Sequence, residues 1–535
     1  MSSPFLCKIR KTVVLFLLFV QVNLFAQTES GVTQFVQLNT ILSDGENAPF
    51  WLTANRQGVS SLSSSNGYAR YGININGNIG DEDKWRYTAG ADIIAGYNQT
   101  SSLAFHELYA GISWKWLNLT AGVKENFAET RTSSSSMFAE CNSKGEVFSR
   151  LYGRTLAELG SGGLLYSGNS APIPQLRLEV PDYVDIPGTG SWIKLRGHIA
   201  YGIFLDHNFQ EDFTSSYPGA KYGRNVLYNG KALFMKIGNE SKFPLQVEGG
   251  LEMYSQFGGD FYTHRDGKYL SMPRGIKDFF KAIIPLGGDE TTPAAEQANI
   301  SGNQIGNWHF AINLQTKPVD IRIYGEHLFE DFSQLFFFEY QTNREGERKL
   351  TYYPWRDIQL GISVTNKTDY LKFISSIQYE YTSMYDQSGT GYNDPNDYFS
   401  EQMDGIDDYY NHSVYPGWHY YGMGIGNPLA FSPLYNDNGV LVFRGNRFKA
   451  HNVGVNGAFL KGEQLKYRLM YTYSENWGTY FIPFDEKKYT TSLLADIVYA
   501  PKNDWIFSFS LAYDKSNLIG DNWGAMFSVA RIGLF

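Results

Sequence analysis

The sequence predicts an all-β fold, a transmembrane antiparallel β-barrel of about 18 strands with long extracellular loops and short helical or plug elements. Three observations predict it: an alternating strand near the C-terminal Phe535, an N-terminal secretion signal, and connections that are alternately short and long. In residues 505–513, aromatic and aliphatic side chains occupy every second position, opposite mainly small or polar ones. That period of two belongs to a β-strand. A chain that ends on an aromatic residue within a strand is typical of barrels in the outer membrane of Gram-negative bacteria, whose last strand closes on the first.

Residues 1–26 predict a cleaved signal peptide. A basic cluster at residues 8–11 precedes an apolar run at residues 12–20, and we expect cleavage after Ala26. The alternative is an uncleaved anchor, but the apolar run is shorter than the ~20 residues that span a bilayer. Residues 27–535 then form the barrel, with an N-terminal plug-like segment and loop insertions. We expect the long loops at about residues 125–171, 258–306 and 385–447.

The composition suits a barrel. The 535 residues have a mean hydropathy of −0.32 and include 54 Gly, 38 Tyr and 37 Phe. A helical membrane protein would be more apolar, because a barrel needs only every second strand residue to face lipid. Loss of the signal leaves 42 basic and 54 acidic residues, which argues against a nucleic-acid partner. Cys7 leaves with the signal, so Cys141 stands alone and excludes an intramolecular disulfide or a Cys-based zinc cluster.

Alternation recurs along most of the chain. In residues 192–203 apolar positions oppose Lys194, Arg196 and His198, and residues 245–257 and 465–473 alternate in the same way. A soluble sandwich would also alternate, but aromatic residues near the strand ends favour an interfacial girdle. We therefore expect the three basic residues to line a polar lumen, and Arg196 and His198 to offer a second candidate surface for sugar at its mouth. Mixed charge there can line a pore or form salt bridges that occlude it.

Short and long connections alternate, as periplasmic turns and extracellular loops do in such barrels. Counting strands back from Phe535 gives about seventeen, the first at residues 68–78. Both chain ends should be periplasmic, so the count must be even and one strand is missing before Tyr68. The expected short turns are residues 81–84, 239–243, 316–318, 367–369, 461–463 and 501–504. The expected long connections are residues 206–225, 258–306, 330–355, 385–447 and 475–488.

Three segments lack the alternation of apolar and polar residues that is typical of a β-strand. Residues 46–58 and 132–170 are too long and too polar for turns, yet they carry apolar residues, so we expect them to block the lumen. Residues 274–284 place five apolar residues on one helical face, which predicts a short amphipathic helix. We expect this helix to pack against the barrel mouth or the plug, and the alternative is a role at the membrane surface.

The longest loop, residues 385–447, mixes carboxylates with aromatic residues. Aromatic faces stack on sugar rings and carboxylates accept hydroxyl hydrogen bonds, so the mixture is typical of carbohydrate sites. The alternative is a hydrated acidic loop whose aromatic residues pack on one another. Calcium is a further alternative, although the spacing matches no calcium loop. The candidate carbohydrate-binding residues are Asp397, Asp407, Asp408, Tyr409, Tyr410, Trp418, His419 and Tyr420.

The sequence contains no GxSxG, HExxH or Walker motif, and GMGIG at residues 422–426 lacks the dinucleotide-binding spacing. We therefore expect no enzymatic activity, no cofactor and no metal. An outer-membrane hydrolase is kept as a third hypothesis, which a buried carboxylate–His or Ser–His pair facing a cleft would support.

Five strings in order resemble the Wzi capsule-assembly family of outer-membrane proteins. They are NAPFWLTANRQG at residues 47–58, FHELYAGISW at 105–114, SGNSAPIPQLRLEVPDYVDIPG at 167–188, YPGWHYYGMGIGNPLAFSPLYN at 415–436 and YSENWGTY at 473–480. The resemblance covers nearly the whole chain after the signal. It implies an eighteen-strand barrel, occluded by loops and plug elements, that acts as a surface lectin for capsular polysaccharide. It assigns no ligand-contacting residue.

The leading hypothesis is a non-enzymatic, monomeric outer-membrane barrel that binds capsular or exopolysaccharide at the cell surface, surrounded by outer-membrane lipid and lipopolysaccharide. The alternative is a diffusion porin for small solutes, and occlusion of the lumen separates the two.

Overall fold

The structure, a computed structural model, describes residues 31–80, 84–100, 102–125, 151, 158–205, 207–283, 302–330, 338–342, 348–352, 355–368, 373–387, 407–459, 464–501 and 504–533. The signal segment, Cys141, Asp397 and Phe535 lie outside these residues. So do residues 132–150 and 152–157 of the segment that we expect to block the lumen.

Eighteen strands, all within the described residues, form one closed antiparallel barrel, which confirms the predicted fold class. They are β1 (Gly31–Asn47), β2 (Ser63–Asn78), β3 (Trp85–Tyr97), β4 (Leu103–Trp114), β5 (Leu117–Val123), β6 (Gln175–Asp185), β7 (Ile193–Ile203), β8 (Leu227–Ile237), β9 (Leu245–Phe257), β10 (Asn303–Gln315), β11 (Val319–Glu330), β12 (Ile358–Asn366), β13 (Ser376–Ser383), β14 (Phe448–Ala458), β15 (Leu465–Gly478), β16 (Pro483–Tyr499), β17 (Trp505–Ser516) and β18 (Asn522–Ile532). Each strand pairs with the next, and β1 closes on β18 from Phe35↔Ile532 to Asp44↔Trp523.

Smaller elements decorate the barrel. The helices are α1 (Phe50–Thr53), α2 (Phe209–Phe213) and α3 (Ile276–Ile283), with 3-10 turns at Thr214–Ser216 and Pro433–Tyr435. Lys221–Arg224, Asp260–Thr263 and Gly267–Ser271 form a three-stranded sheet, and two-stranded pairs join Phe338–Thr342 to Arg348–Tyr352 and His419–Tyr420 to Met423–Gly424. Among the described residues, none of the helices has the length and apolar character needed to cross a membrane.

The connections at the two ends of the barrel differ in length. We call the end with residues 186–192 and 238–244 the turn end, and the opposite end, with residues 204–226 and 258–302, the loop end. The strand that an even count requires before Tyr68 is β1. Six of the nine connections at the loop end have 15 residues or more, and none at the turn end has more than nine. The predicted asymmetry is therefore present, although the loop-end connections at residues 98–102, 479–482 and 517–521 are short.

The expected loop at residues 475–488 is wrong. β15 and β16 pair as far as Asn476↔Lys488 and, after a register shift, Gly478↔Pro483, so the strands extend through most of this stretch. Its charged residues are compatible with strand, because the part of a barrel strand beyond the hydrocarbon layer is in contact with water. The carboxylate of Glu475 and the ammonium of Lys487 lie 3.0 Å apart within the hairpin.

Side chains alternate between a lipid-facing set and a lumen-facing set. On β18, Trp523 and Phe527 are exposed, whereas Met526 and Ala530 are buried. A belt of exposed tryptophans lies near the turn end: Trp85, Trp114, Trp116 and Trp505. This is the arrangement of a barrel surrounded by lipid, with an aromatic girdle at the interface.

Strand glycines make room for rings that point into the lumen. Phe35 is paired with Gly72, where an added Cβ would lie 2.1 Å from the Phe35 ring. Tyr324 is paired with Gly361, where an added Cβ would also lie 2.1 Å from the ring. At both positions only glycine leaves space for the neighbouring aromatic side chain.

Candidate functional site: the plugged loop end

Three segments fold into the barrel at its loop end, and we call them together the plug. They are residues 48–62, which contain α1, residues 158–174 and residues 407–447. Their apolar side chains share one buried cluster with wall residues such as Tyr228 and Met470. The structure thus places the described parts of both segments expected to block the lumen inside it, and it adds the longest loop.

The first plug segment is fastened to the wall through α1. Its first N–H groups have no partner within the helix, and the backbone N–H of Phe50 donates to Asp514 Oδ2 of β17 at 2.8 Å. The indole Nε1 of Trp51 donates to Thr472 Oγ1 of β15 at 3.1 Å. All four residues of α1 are buried. This short helix therefore joins two strands from the far end of the chain.

Carboxylates that face the lumen hold the second plug segment. Ser161 donates both its backbone N–H, at 2.8 Å, and its hydroxyl to Glu380 Oε1 of β13. The backbone N–H of Leu164 donates to Glu326 Oε2 of β11 at 2.9 Å. Hydrogen bonds to an ionised acceptor are about twice as strong as neutral ones. Where the plug fills the lumen, Glu326 and Glu380 therefore bind the plug and do not line an open pore.

The third plug segment folds over the second. The indole Nε1 of Trp418 donates to the carbonyl of Leu165 at 2.8 Å, and the Tyr410 hydroxyl donates to the carbonyl of Leu164. Asn427 Nδ2 donates to the carbonyl of Gly162 at 2.7 Å. A buried indole or hydroxyl needs such a partner. The longest loop therefore locks the plug in place.

Most of the candidate carbohydrate-binding residues come together, but in the interior. Tyr409, Tyr410 and Trp418 have 0% of their surface exposed, and His419 and Tyr420 are also buried. Trp418 packs against neighbouring rings at 5.9 Å and 6.4 Å between centroids. In this conformation the rings cannot stack on a sugar, which corrects that expectation. Their packing agrees with the alternative interpretation, in which the aromatic residues of this loop pack on other rings.

The polar candidates in the same loop differ in their environment. Asp408 Oδ1 accepts a hydrogen bond from Asn446 Nδ2 at 2.5 Å, and burial raises the pKa of its carboxyl. Asp407 is partly exposed, and Asp397 lies outside the described residues. Burial lowers the pKa of His419 to about 4, and neither of its ring nitrogens has a hydrogen-bond partner among the described residues. The buried imidazole is therefore held neutral.

Lys194, Arg196 and His198 lie on the lumen side of β7. The guanidinium carbon of Arg196 is 4.5 Å from the centre of the Phe234 ring, and Lys194 Nζ is 4.0 Å from Asp185 Oδ1. Lys194 and Arg196 lie near the start of β7, next to a short turn, so they are at the turn end beneath the plug. His198 lies at the middle of the same strand and is buried. The expectation that Arg196 and His198 offer a second surface for sugar at the mouth is therefore corrected, because the plug separates Arg196 from the loop end and His198 is covered.

Two buried histidine–carboxylate pairs bear on the hydrolase hypothesis. His106 Nε2 lies 2.8 Å from Glu125 Oε1, which also binds Arg70 at 3.2 Å. His309 Nε2 lies 3.2 Å from Glu252 Oε2. Both imidazoles are buried and link neighbouring parts of the wall, so the structure explains them without catalysis. Within the described residues, no group of three or more His, Cys, Asp or Glu is placed to hold a metal ion.

A cluster of aromatic and basic residues at the loop end was not indicated by the sequence pattern. The Tyr385 and Trp477 rings are 4.6 Å apart, with Lys449 Nζ 4.4 Å from the centre of the Tyr385 ring and Lys487 Nζ 5.3 Å from that of Trp477. Tyr489, which lies 5.1 Å from Lys487 Nζ, is exposed. We call these five residues the rim patch. Lys487 stands on the outward face of an extended hairpin that the sequence suggested to be a loop, and Lys449 lies beside that hairpin on β14.

Comparisons with known proteins bear on the fold. No protein-family model matches the chain, and no curated protein does. Among solved structures, the chain is similar to Escherichia coli Wzi, an outer-membrane protein involved in group 1 capsule assembly and described as a carbohydrate-binding β-barrel. The two sequences are 11% identical, and the match covers 92% of this chain and 83% of that chain with a TM-score of 0.50. Pseudomonas aeruginosa OpdQ and OprD are 9% and 8% identical over 95% of this chain and 99% and 97% of theirs, with TM-scores of 0.45 and 0.42. At 11% identity the likeness to Wzi is one of fold alone. The chain is a bacterial outer-membrane β-barrel.

Proposed function

We propose that this protein is a non-catalytic barrel of the Wzi type that binds capsular or exopolysaccharide at the cell surface. The observation that carries the proposal is the plug, in which three segments fill the loop end of the lumen. A plugged barrel is poorly suited to diffusion of solutes but offers a rigid platform for surface recognition. The five sequence strings that resemble the Wzi family, and the similar fold of Wzi, support the same function.

We infer that the loop end faces the cell exterior. Outer-membrane barrels have short periplasmic turns and longer extracellular loops, and the turn end here has connections as short as residues 115–116 and 316–318. The plug then closes the barrel from outside, and the rim patch lies where surface polysaccharide passes.

We propose the rim patch as the surface that contacts saccharide. The partly exposed Trp477 ring and the exposed Tyr489 ring can stack on sugars. Lys449 and Lys487 supply positive charge, of which Glu475, 3.0 Å from Lys487, offsets one unit. Ammonium groups close to aromatic faces suit a polymer that carries carboxylate or phosphate groups. The preferred ligand is therefore an acidic polysaccharide. Asp407, partly exposed in the third plug segment, is a further candidate contact.

The function is tested by deleting the gene and measuring cell-attached against shed polysaccharide. We expect the deletion to move polysaccharide into the medium, and the intact gene supplied in trans to restore attachment. Unchanged attachment in the deletion strain would contradict the proposal.

A diffusion porin is the second candidate, and the turn end favours it. Glu248 lies 3.3 Å from Arg322 and 3.4 Å from Lys236, in a charged lumen of the kind that small polar solutes cross. Planar-bilayer recording separates the two functions. The polysaccharide-binding function predicts little steady conductance, whereas large, stable channels in the intact protein would favour the porin.

A further inference from the structure

Helix α3 packs on the outer side of the wall, which corrects the expectation that it lies at the mouth or in the plug. The Tyr201 hydroxyl of β7 donates to the carbonyl of Phe279 at 2.6 Å. The Phe279 ring lies 5.3 Å from the Tyr201 ring and 5.2 Å from the Phe257 ring of β9. Near the end of the helix, Lys231 Nζ of β8 donates to the carbonyl of Ala282 at 2.7 Å. The helix therefore crosses three neighbouring strands near the loop end.

The strand register shows that these wall residues face lipid. Directly paired residues share a face of the sheet, and so does every second residue of a strand. Lys231 is paired with Met253, and it shares its face with Leu233, which is 61% exposed. Phe257 shares the face of Val247, which is 45% exposed, yet Phe257 itself is 2% exposed. The lipid-facing surface is thus covered where α3 lies and exposed further along the same strands.

The helix leaves two large apolar side chains uncovered. Ile276 is 79% exposed and Phe280 is 68% exposed. They are four residues apart and so share one face of the helix. At about 100° per residue, this face is roughly a quarter turn from the face of Phe279 and Ala282 that contacts the wall, and Lys277 lies on another side. The helix therefore has an apolar arc that extends from the wall toward its surroundings.

We propose that α3 is an in-plane membrane anchor, in which Ile276 and Phe280 insert among the acyl chains of the outer-leaflet lipid while Lys277 faces the headgroups. Lipid is the occupant because the uncovered pair adjoins the established lipid-facing surface of β8 and β9. An amphipathic helix lying in the interface buries its apolar face in this way.

Lys231 explains why the helix is held at this point. A lysine on the lipid-facing side of a barrel costs free energy unless its ammonium finds a partner. Lys231 Nζ bonds the carbonyl of Ala282, where the helix dipole is negative, and it also lies 3.1 Å from Asn229 Oδ1. The helix therefore shields the lysine, and the lysine fixes the helix to the wall.

The anchor is tested with nitroxide spin labels on purified protein in phosphatidylethanolamine–phosphatidylglycerol vesicles. Both native cysteines, Cys7 and Cys141, are replaced by Ser, and a single cysteine is introduced as Ile276→Cys, Phe280→Cys or Lys277→Cys. Leu233→Cys is the reference for lipid and Lys268→Cys the reference for water, since both positions are exposed. Heat-modifiable gel migration shows that each variant is folded.

We expect labels at positions 276 and 280 to collide with oxygen in preference to a water-soluble nickel chelate, as at position 233. The label at position 277 should be more accessible to the chelate. Water-like accessibility at both 276 and 280 would overturn the proposal. So would shielding from both reagents, because it would indicate that protein covers the helix instead of lipid.

Discussion

Ser161 and Glu380, 219 positions apart in the chain, are joined by two hydrogen bonds, because the backbone N–H and the hydroxyl of Ser161 both donate to Glu380 Oε1. The Tyr324 hydroxyl donates to the other carboxylate oxygen at 2.6 Å. One wall carboxylate therefore positions both the plug and a neighbouring wall residue. The position of the second plug segment in the lumen therefore depends on a few carboxylate acceptors in the wall.

Neutralising the plug acceptors should loosen the plug. In Glu326→Gln/Glu380→Gln, the side chains keep their shape but lose their charge, and hydrogen bonds to charged groups are worth about 1 kcal/mol more than neutral ones. We expect more frequent channel openings in planar bilayers than for wild type. Glu486→Gln, which changes an exposed residue of β16, is the control. Equal conductance in folded wild type and double variant would show that these carboxylates do not hold the plug.

Trp418 should contribute to stability rather than to sugar binding. Trp418→Phe removes the donor that bonds the carbonyl of Leu165, and an unsatisfied buried group costs about 1–3 kcal/mol. We expect a lower denaturant midpoint for protein in vesicles, whereas Trp477→Phe at the partly exposed rim should change it little. If Trp418→Phe kept the wild-type midpoint yet increased polysaccharide shedding, Trp418 would be a sugar contact after all.

The rim patch should retain polysaccharide. Loss of one stacking aromatic costs ~1 kcal/mol, which multivalent binding to a polymer can hide, so two rings are removed together. Cells with Trp477→Ala/Tyr489→Ala should shed more polysaccharide than wild type. The matched control is Trp85→Ala/Trp116→Ala, which removes two exposed rings at the turn end. Equal shedding by the two double variants would remove the rim patch as the binding surface.

Acid should loosen the plug through His419. Its pKa is lowered from 6.5 to about 4 by burial, so the stability that the neutral ring provides is complete above pH 6.5 and is lost as the pH falls toward 4. Asp408, with a raised pKa, acts in the opposite direction, so the His419→Leu variant isolates the effect. Between pH 7.5 and 4.5 the denaturant midpoint should fall less in His419→Leu than in wild type. His264→Gln, at an exposed histidine, should behave as wild type, and identical profiles for all three proteins would contradict the assignment.

The orientation can be tested by labelling intact cells with an impermeant thiol reagent. In a Cys141→Ser background, Lys268→Cys at the loop end should react, and Glu240→Cys in a short turn should not. Both side chains are exposed in the structure, so access depends only on the side of the membrane. The reverse pattern would place the loop end in the periplasm.

The fold was largely predictable from the sequence, because a lipid-facing wall requires apolar side chains at every second position of each strand. β1 escaped recognition, since Phe35 and Ile41 point into the lumen and Gln34 lies on the opposite face, which obscures the alternation. Phe35 is accommodated by Gly72, a complementarity between distant residues that one strand cannot reveal.

The candidate site was less predictable, because a run of aromatic and acidic residues is compatible with binding sugar and with filling a barrel. What decides is whether the wall and the other plug segments offer partners, such as the carbonyl of Leu165 in the second plug segment for Trp418. Those partners lie hundreds of positions away and have no local signature. The helix at residues 276–283 shows the same limit, since its amphipathic pattern gave its existence but not the side of the wall on which it packs.

The plug also sets an order of events during biogenesis. Phe50 leaves the ribosome early, yet its partner Asp514 lies 464 positions later, and Ser161 likewise has to await Glu380. Contacts between such distant positions form slowly, because a long stretch of chain must be ordered first. The first two plug segments therefore cannot make these contacts until β13 and β17 have been added to the barrel. A molecule that lacked its final hairpin, β17–β18, would have a barrel that is not closed and a first plug segment that is not bound to the wall through Asp514.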